Sequence, residues 1–276
     1  MSKGPLLFTD IGKKAKDLLT RDYITDHKLS VSTYSHTGLA LTSTAVKKGG
    51  LSTGDVGAVY NYKDTLIDVK VDTASNISTT FTATDFIPST KTIASLKFPN
   101  YESGKLEIQY FHPHASLTTA VGFTKSPTVD ASVSLGNSTF AVGAEAGYDT
   151  TSSTLTKYTA GVSLTKLDSC ASIIVGDKGD SISASYVHYF DQFKRSAGVG
   201  EITKRFSTNE NFFTVGGAVS VDHLTLVKLK LNNHGKLGAV LQHELMPKSL
   251  LTIGSEFDTK ALDKAPRFGV SLALKP

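Results

Sequence analysis

His112-Pro113-His114 sets two imidazoles two residues apart, the start of a metal site if further ligands converged on them. No second cluster with ligand spacing occurs in the sequence, and Pro113 marks the end of a strand, so a turn is expected there and no metal. Gly198-Val199-Gly200-Glu201-Ile202-Thr203 is half of a dinucleotide fingerprint. Its third glycine is missing and no helical pattern follows, so these are glycines within a strand and no cofactor is expected. Asn76-Ile77-Ser78 and Asn137-Ser138-Thr139 are formal glycosylation sequons, which without a secretory route are chance matches. No Gly-x-Ser-x-Gly, His-Glu-x-x-His or phosphate-binding loop is present, and no nucleophile stands in a motif with a base. The residue types therefore point away from an enzyme. What remains is charge: Lys and Arg recur on alternating positions along much of the chain, a pattern that acts collectively on ions.

The chain has 276 residues, with 29 Lys and Arg against 25 Asp and Glu, a net charge of +4. The basic residues are dispersed, without the dense block that marks a nucleic-acid arm, so nucleic acid is not expected as the main partner. Cys170 is the single cysteine, so no intramolecular disulfide contributes. No run approaches 18 apolar residues, and the amino terminus lacks the apolar core and cleavage site of a secretory signal. Hydropathy alone would give a soluble cytosolic protein. That inference fails for β-barrels, whose strands alternate and never fill a long apolar window.

Two kinds of element position the charges. In the first 20 residues, Leu7, Ile11, Ala15 and Leu18 fall on one helical face, with Thr9 or Asp10 able to cap its start. Lys13, Lys14, Lys16, Asp17 and Arg21 occupy the other faces. Through residue 21 the segment carries five cations, Lys3 among them, against Asp10 and Asp17. Those two acids argue against a transit peptide, and the stripe is too short to span a bilayer.

From about residue 25 the period changes to two. Ile67, Val69 and Val71 alternate with Asp68, Lys70 and Asp72; Leu106, Ile108 and Tyr110 alternate with Glu107 and Gln109. Phe140 to Asp149, Tyr158 to Leu164, Phe213 to Val221 and Arg267 to Lys275 obey the same rule. Turn signals separate the runs: Gly49-Gly50, Asp85 to Pro88, Pro99-Asn100, Ser126-Pro127, Gly136-Asn137, Asp177 to Asp180, Asn232-Asn233 and Pro247. At roughly 13 residues per tilted strand and turn, the remaining ~250 residues give about nineteen strands. No linker divides them. The expected domains are an N-terminal helix and hinge over 1–24 and a barrel over 25–276.

Size decides which face meets water. Barrels of 16 to 18 strands already enclose an aqueous channel, so a larger one cannot pack an apolar interior. The polar faces, carrying Asp68, Lys70, Glu107, Glu145, Lys228, Lys230 and Arg267, must line the hole, and the apolar faces must meet lipid. The expected fold class is an all-β transmembrane barrel. A soluble all-β ligand-binding protein is the alternative, distinguished by freedom from detergent. A bacterial outer-membrane porin would need a signal peptide and normally an even strand number.

Three stretches carry a family resemblance. PLLFTDIGKKAKDLLTRDY, residues 5–23, resembles the pore helix and hinge of the voltage-dependent anion channels, the eukaryotic porins, and of plant members most closely. VDHLTLVKLKLNNHGKLGAVLQHEL, Val221 to Leu245, is similar to the strongest signature of that family, with Lys230-Leu231-Asn232-Asn233 at its centre. The last strand resembles the mitochondrial membrane-targeting signal through Arg267, Gly269, Leu272 and Leu274. The likeness covers the whole chain.

The resemblance implies a 19-stranded barrel with the helix in the lumen and the first and last strands parallel. Nineteen is the number already known for this family, so the estimate above is not independent of it. It also implies a voltage-gated, weakly anion-selective channel of the mitochondrial outer membrane. ATP, ADP, phosphate and organic acids would pass, with adenine nucleotides bound only weakly, since flux requires release as well as entry. The lipid bilayer is its standing partner, and a homo-oligomer in the membrane is compatible with it. Lys13, Lys16, Asp17, Arg21, Lys228, Lys230 and Arg267 are the residues expected to line or gate the pore. Animal members often carry a lipid-facing Glu on the fourth strand, linked to hexokinase docking; Ile67, Val69 and Val71 supply no acid here.

Overall fold

The computed structural model describes residues 4–261 and 265–275. Lys3, counted above among the N-terminal cations, lies outside them. Nineteen strands close into a single barrel. They are β1 (His27–Tyr34), β2 (Leu39–Lys48), β3 (Leu51–Tyr62), β4 (Thr65–Asp72), β5 (Ile77–Thr84), β6 (Thr90–Phe98), β7 (Lys105–His112), β8 (Ala115–Gly122), β9 (Thr128–Gly136) and β10 (Phe140–Asp149). The circuit continues through β11 (Thr154–Thr165), β12 (Ser169–Gly176), β13 (Ser181–Tyr189), β14 (Ser196–Arg205), β15 (Glu210–Ser220), β16 (Thr225–Asn232), β17 (Lys236–Met246), β18 (Ser249–Asp258) and β19 (Arg267–Leu274).

Every sequential pair is antiparallel, and the turns fall where the sequence signals them. Gly49 and Gly50 make the β2–β3 turn with φ of 52° and 89°, a left-handed backbone that suits residues without a Cβ. Closure comes from β1 and β19, which pair in parallel from His27↔Val270 to Val31↔Leu274. Direction alternates from strand to strand, so an odd number leaves its two ends pointing the same way.

The register fixes the faces all round. Val56↔Val71, Ile67↔Phe81, Val142↔Val162 and Val215↔Leu231 are apolar partners. Apart from Ile67, which is half-buried, their side chains are among the many large apolar groups left exposed on the outside. In a soluble protein so continuous an apolar surface would be a liability; around a closed barrel it is the band that meets hydrocarbon. The alternate residues face inward and are small or polar, and Ser134, Ser163 and Ser172 are buried there.

The N-terminal segment departs from the sequence reading in two details. Regular helix spans only α1, Lys13–Thr20, preceded by a 3-10 turn at Phe8–Asp10. Neither Thr9 nor Asp10 caps it: Gly12 is the N-cap, with φ of 75° and no side-chain bond. The 3-10 turn and that left-handed residue put Phe8 rather than Leu7 on the buried side, and Ile11, Ala15 and Leu19 complete the stripe, with Leu7 and Leu18 only partly covered. Asp10 instead accepts a hydrogen bond from Lys13 Nζ at 2.8 Å.

Leu272 pairs with Leu29 on one side and Leu251 on the other, on the lipid face at the closing seam. The double change Leu272→Asp, Leu274→Asp is expected to block assembly. A charge facing mid-membrane costs about 2–4 kcal/mol for Arg or Lys and less for acids, and two of them interrupt the seam that removes the sheet edges. Carbonate-resistant protein in isolated membranes measures it; a yield equal to the unmodified chain would contradict this assignment.

Candidate permeation pathway

The N-terminal segment lies against the inner face of the wall. Along its course, wall glycines mark the points of contact. A Cβ on Gly143 would stand 2.9 Å from the Phe8 ring, one on Gly161 3.3 Å from Ile11, and one on Gly216 2.9 Å from Leu19. Gly143 and Gly161 are direct register partners, so together they open one notch across β10 and β11. Further along, Gly238 faces Tyr23 at 3.0 Å. Gly254 and Gly269, again register partners, lie under the backbone of Ile24 to Asp26, where a Cβ would come within 2.2 to 2.7 Å of main-chain atoms. Close approach of backbone to wall requires glycine at that last pair. The sequence reading gave Gly269 a targeting role only; in the structure it also seats the connection between helix and barrel.

Between these notches the wall offers α1 an apolar patch. Ala15 and Leu19 pack with Cys170, Val187 and Val199, flanked by Leu18 and Tyr189. These wall residues sit on the otherwise polar inner face. Burying two aliphatic side chains and part of a third gives roughly 1.5–3 kcal/mol for each large one, enough to hold a short helix that would not be stable alone.

Two lysines of β16 fasten the helix's carboxyl end. Lys228 Nζ donates to Asp22 Oδ2 at 2.8 Å, and the Lys228 side chain is only 8% exposed. Lys230 Nζ donates to the Leu19 carbonyl at 2.9 Å and stands 4.0 Å from the centre of the Tyr23 ring. A cation there also satisfies a carbonyl at the negative end of the helix. Burial pushes the Tyr23 hydroxyl up to about 12, so the ring beneath Lys230 stays neutral across the physiological range. Asp22 turns the chain with φ of 71°.

The other predicted pore residues are placed as follows. Lys13, Lys16 and Asp17 line a recess of about 720 Å³ between helix and wall, with Glu201, Lys230, Lys236 and Glu256 opposite. Lys13 is held protonated by its hydrogen bond and proximity to Asp10, which raise its pKa. Arg21 is exposed past the helix end, with Asp22 at 4.0 Å. Arg267 opens β19, paired in register with Glu256 on the inner face. Many wall charges are matched locally: Lys70 with Asp55 at 3.8 Å, Lys105 with Glu107 at 3.2 Å, Lys157 with Glu145 at 2.5 Å. His112 ends β7 and His114 lies in the β7–β8 turn, and among the described residues no group of three His, Cys, Asp or Glu gathers to hold a metal. Gly198 and Gly200 lie within β14.

A closed barrel with an apolar exterior, a polar interior and a helix laid along its inner wall is a channel. The eukaryotic porin family profile matches residues 4–269. The chain belongs to the eukaryotic porin family. It is 63% identical over all 276 residues, the full length of both chains, to mitochondrial outer membrane protein porin 2 of Arabidopsis thaliana. It is 59% identical to mitochondrial outer membrane protein porin 5 of Oryza sativa, covering 99% of each chain. It is 47% identical, over the full length of both, to the mitochondrial outer membrane protein porin of 34 kDa from Solanum tuberosum. This porin is therefore a channel of the mitochondrial outer membrane and not an enzyme.

Cys170 reports on the docked helix, because this lone thiol is buried in the same cluster as Ala15 and Leu19. Lys228→Met is expected to raise the rate of maleimide labelling of Cys170 by about tenfold or more in the reconstituted porin, since a hydrogen bond between charged groups contributes about 1.5–3 kcal/mol. Unchanged labelling would show that the Lys228–Asp22 contact does not hold the helix down.

Proposed function

We propose that this porin is a voltage-gated, weakly anion-selective channel for small anionic metabolites, including adenine nucleotides, phosphate and organic acids. The observation that carries the reading is the position of α1: a charged segment attached by one end to β1 and held in the lumen by side chains. Lys13, Lys16 and Arg21 bring positive charge into the permeation path, with Asp17 offsetting part of it, and Arg267 adds to it from the wall. Lys228 and Lys230 act differently, by fastening the helix, since their charges are engaged with Asp22, the Leu19 carbonyl and the Tyr23 ring.

The selectivity is weak for two reasons. Several wall cations are compensated by acids on the same or the neighbouring strand, as at Lys70, Lys105 and Lys157. In a wide aqueous lumen the residual field is also screened beyond about 10 Å at 0.1 M salt. Nucleotide contacts are accordingly transient and distributed over several lysines. Voltage acts on the helix because its charges move with it. The connection from Arg21 to Asp26 is the pivot, and the barrel stays closed while the helix shifts, because no strand pairing depends on it.

Deletion of residues 1–20 tests this reading. A folded barrel is expected, with altered voltage dependence and a reversal potential closer to zero in a potassium chloride gradient. In the full-length porin the anion preference is expected to shrink as salt rises. Planar-bilayer recording measures both. A truncated channel that gates and selects like the full-length one would remove the helix from the mechanism, and cation preference of the full-length open channel at low salt would overturn the selectivity.

A further inference from the structure

The lipid-facing side of the strands is apolar almost throughout, so the charged or ionisable groups on it stand out. Among the described residues, the strand positions in outward register that carry a lysine or histidine are His27, Lys47, His112, His188, Lys204 and His243. Of these, only His27 and Lys47 are register partners. Lys47 is in turn the partner of Ser52 on β3. Imidazole, ammonium and hydroxyl thus form one row across β1, β2 and β3, beside the β2–β3 turn and next to the parallel seam. The row below it toward mid-membrane is Leu29, Ala45 and Gly54. Ala45 is small, which leaves a trough on the outer wall of about 340 Å³ bounded by Leu29 and Val270. Asp26, the residue before His27, does not neutralise Lys47: it pairs with Lys48 at 3.6 Å, on the opposite side of the strand. Among the described residues neither His27 nor Lys47 has an ion-pair partner.

We propose that this row and trough form a binding site for an anionic phospholipid. The phosphate sits between Lys47 Nζ, the Ser52 hydroxyl and the His27 ring, and one acyl chain lies in the trough over Ala45. The occupant is a lipid because the surface faces the bilayer and its polar end stands above an apolar one. It is anionic because the polar end offers cations and a hydroxyl donor with no carboxylate to receive an ammonium headgroup. Lys204 is the natural control. It is also an outward lysine at the same end of the barrel, but its partners are Ile182 and Asn211, and its Nζ stands 5.9 Å from the Phe206 ring.

The test uses the full-length porin in phosphatidylcholine vesicles doped with a photoreactive phosphatidylglycerol, with cross-links mapped by peptide mass spectrometry. Labelling is expected to concentrate between residues 27 and 54. Lys47→Gln should lower it about fivefold, as expected for one lysine at an anionic membrane surface. Lys47→Arg should keep it, and its retention shows that the site tolerates substitution without loss of fold. Lys204→Gln should leave it unchanged. Even labelling around the barrel, equal labelling by a photoreactive phosphatidylcholine, or unchanged labelling in Lys47→Gln would each overturn the proposal.

Discussion

In hydrocarbon no water replaces an unmade backbone hydrogen bond, and each orphaned group costs several kcal/mol. That constraint governs this molecule. It requires the sheet to close, and closing nineteen strands in an alternating meander leaves β1 and β19 pointing the same way. The parallel seam, His27↔Val270 to Val31↔Leu274, follows from the strand number. It also places the first strand of the chain beside the last, so the barrel is complete only when the carboxyl end is in place.

Closure sets the conditions for the interior. A barrel this wide cannot be filled by its own side chains, so its inner face is polar and holds water. A helix laid against such a wall finds little to bury in. The structure meets this locally: one apolar patch of Cys170, Val187 and Val199 receives Ala15 and Leu19, and glycines lower the wall where the chain presses closest. The fastening is polar, at Lys228 and Lys230, where donors meet a carboxylate and a helix-end carbonyl. Contacts of this kind are each worth a few kcal/mol or less, so the helix is held more loosely than any strand. The gating role proposed for the helix requires this, because a moving element is drawn from the less stable part of an otherwise rigid frame.

The proposed selectivity rests on the same geometry. Some inner-face charges reach opposite charges on a neighbouring strand, and pairs such as Lys157 with Glu145 cancel at short range. What survives is the excess supplied by the helix segment and by unmatched wall lysines. The anion preference proposed for this porin would be collective and shallow, which would suit flux better than a tight site, since passage requires release as well as entry.

The sequence by itself determined the strands, their turns and their two faces, because those depend on local pattern. A period of two decides which side chains share a face, and Gly49-Gly50, Gly136-Asn137 and Asn232-Asn233 terminate runs through backbone preferences carried within a few residues. It also determined that the first segment is helical and basic. Only the tertiary structure decided how that helix begins and sits. Gly12 in a left-handed conformation starts the helix, and Leu19 rather than Leu18 is the buried residue of its last turn because the wall patch and the notch at Gly216 accept it. Lys228 and Lys230 read as free lumen charges in the strand pattern, yet they grip a segment 206 and 211 residues away. Glycine at 254 and 269 looks like any small inner-face residue until the chain at Ile24 to Asp26 is seen to cross it. Those assignments rest on which distant segments meet across the lumen, and alternation along a strand carries no information about that.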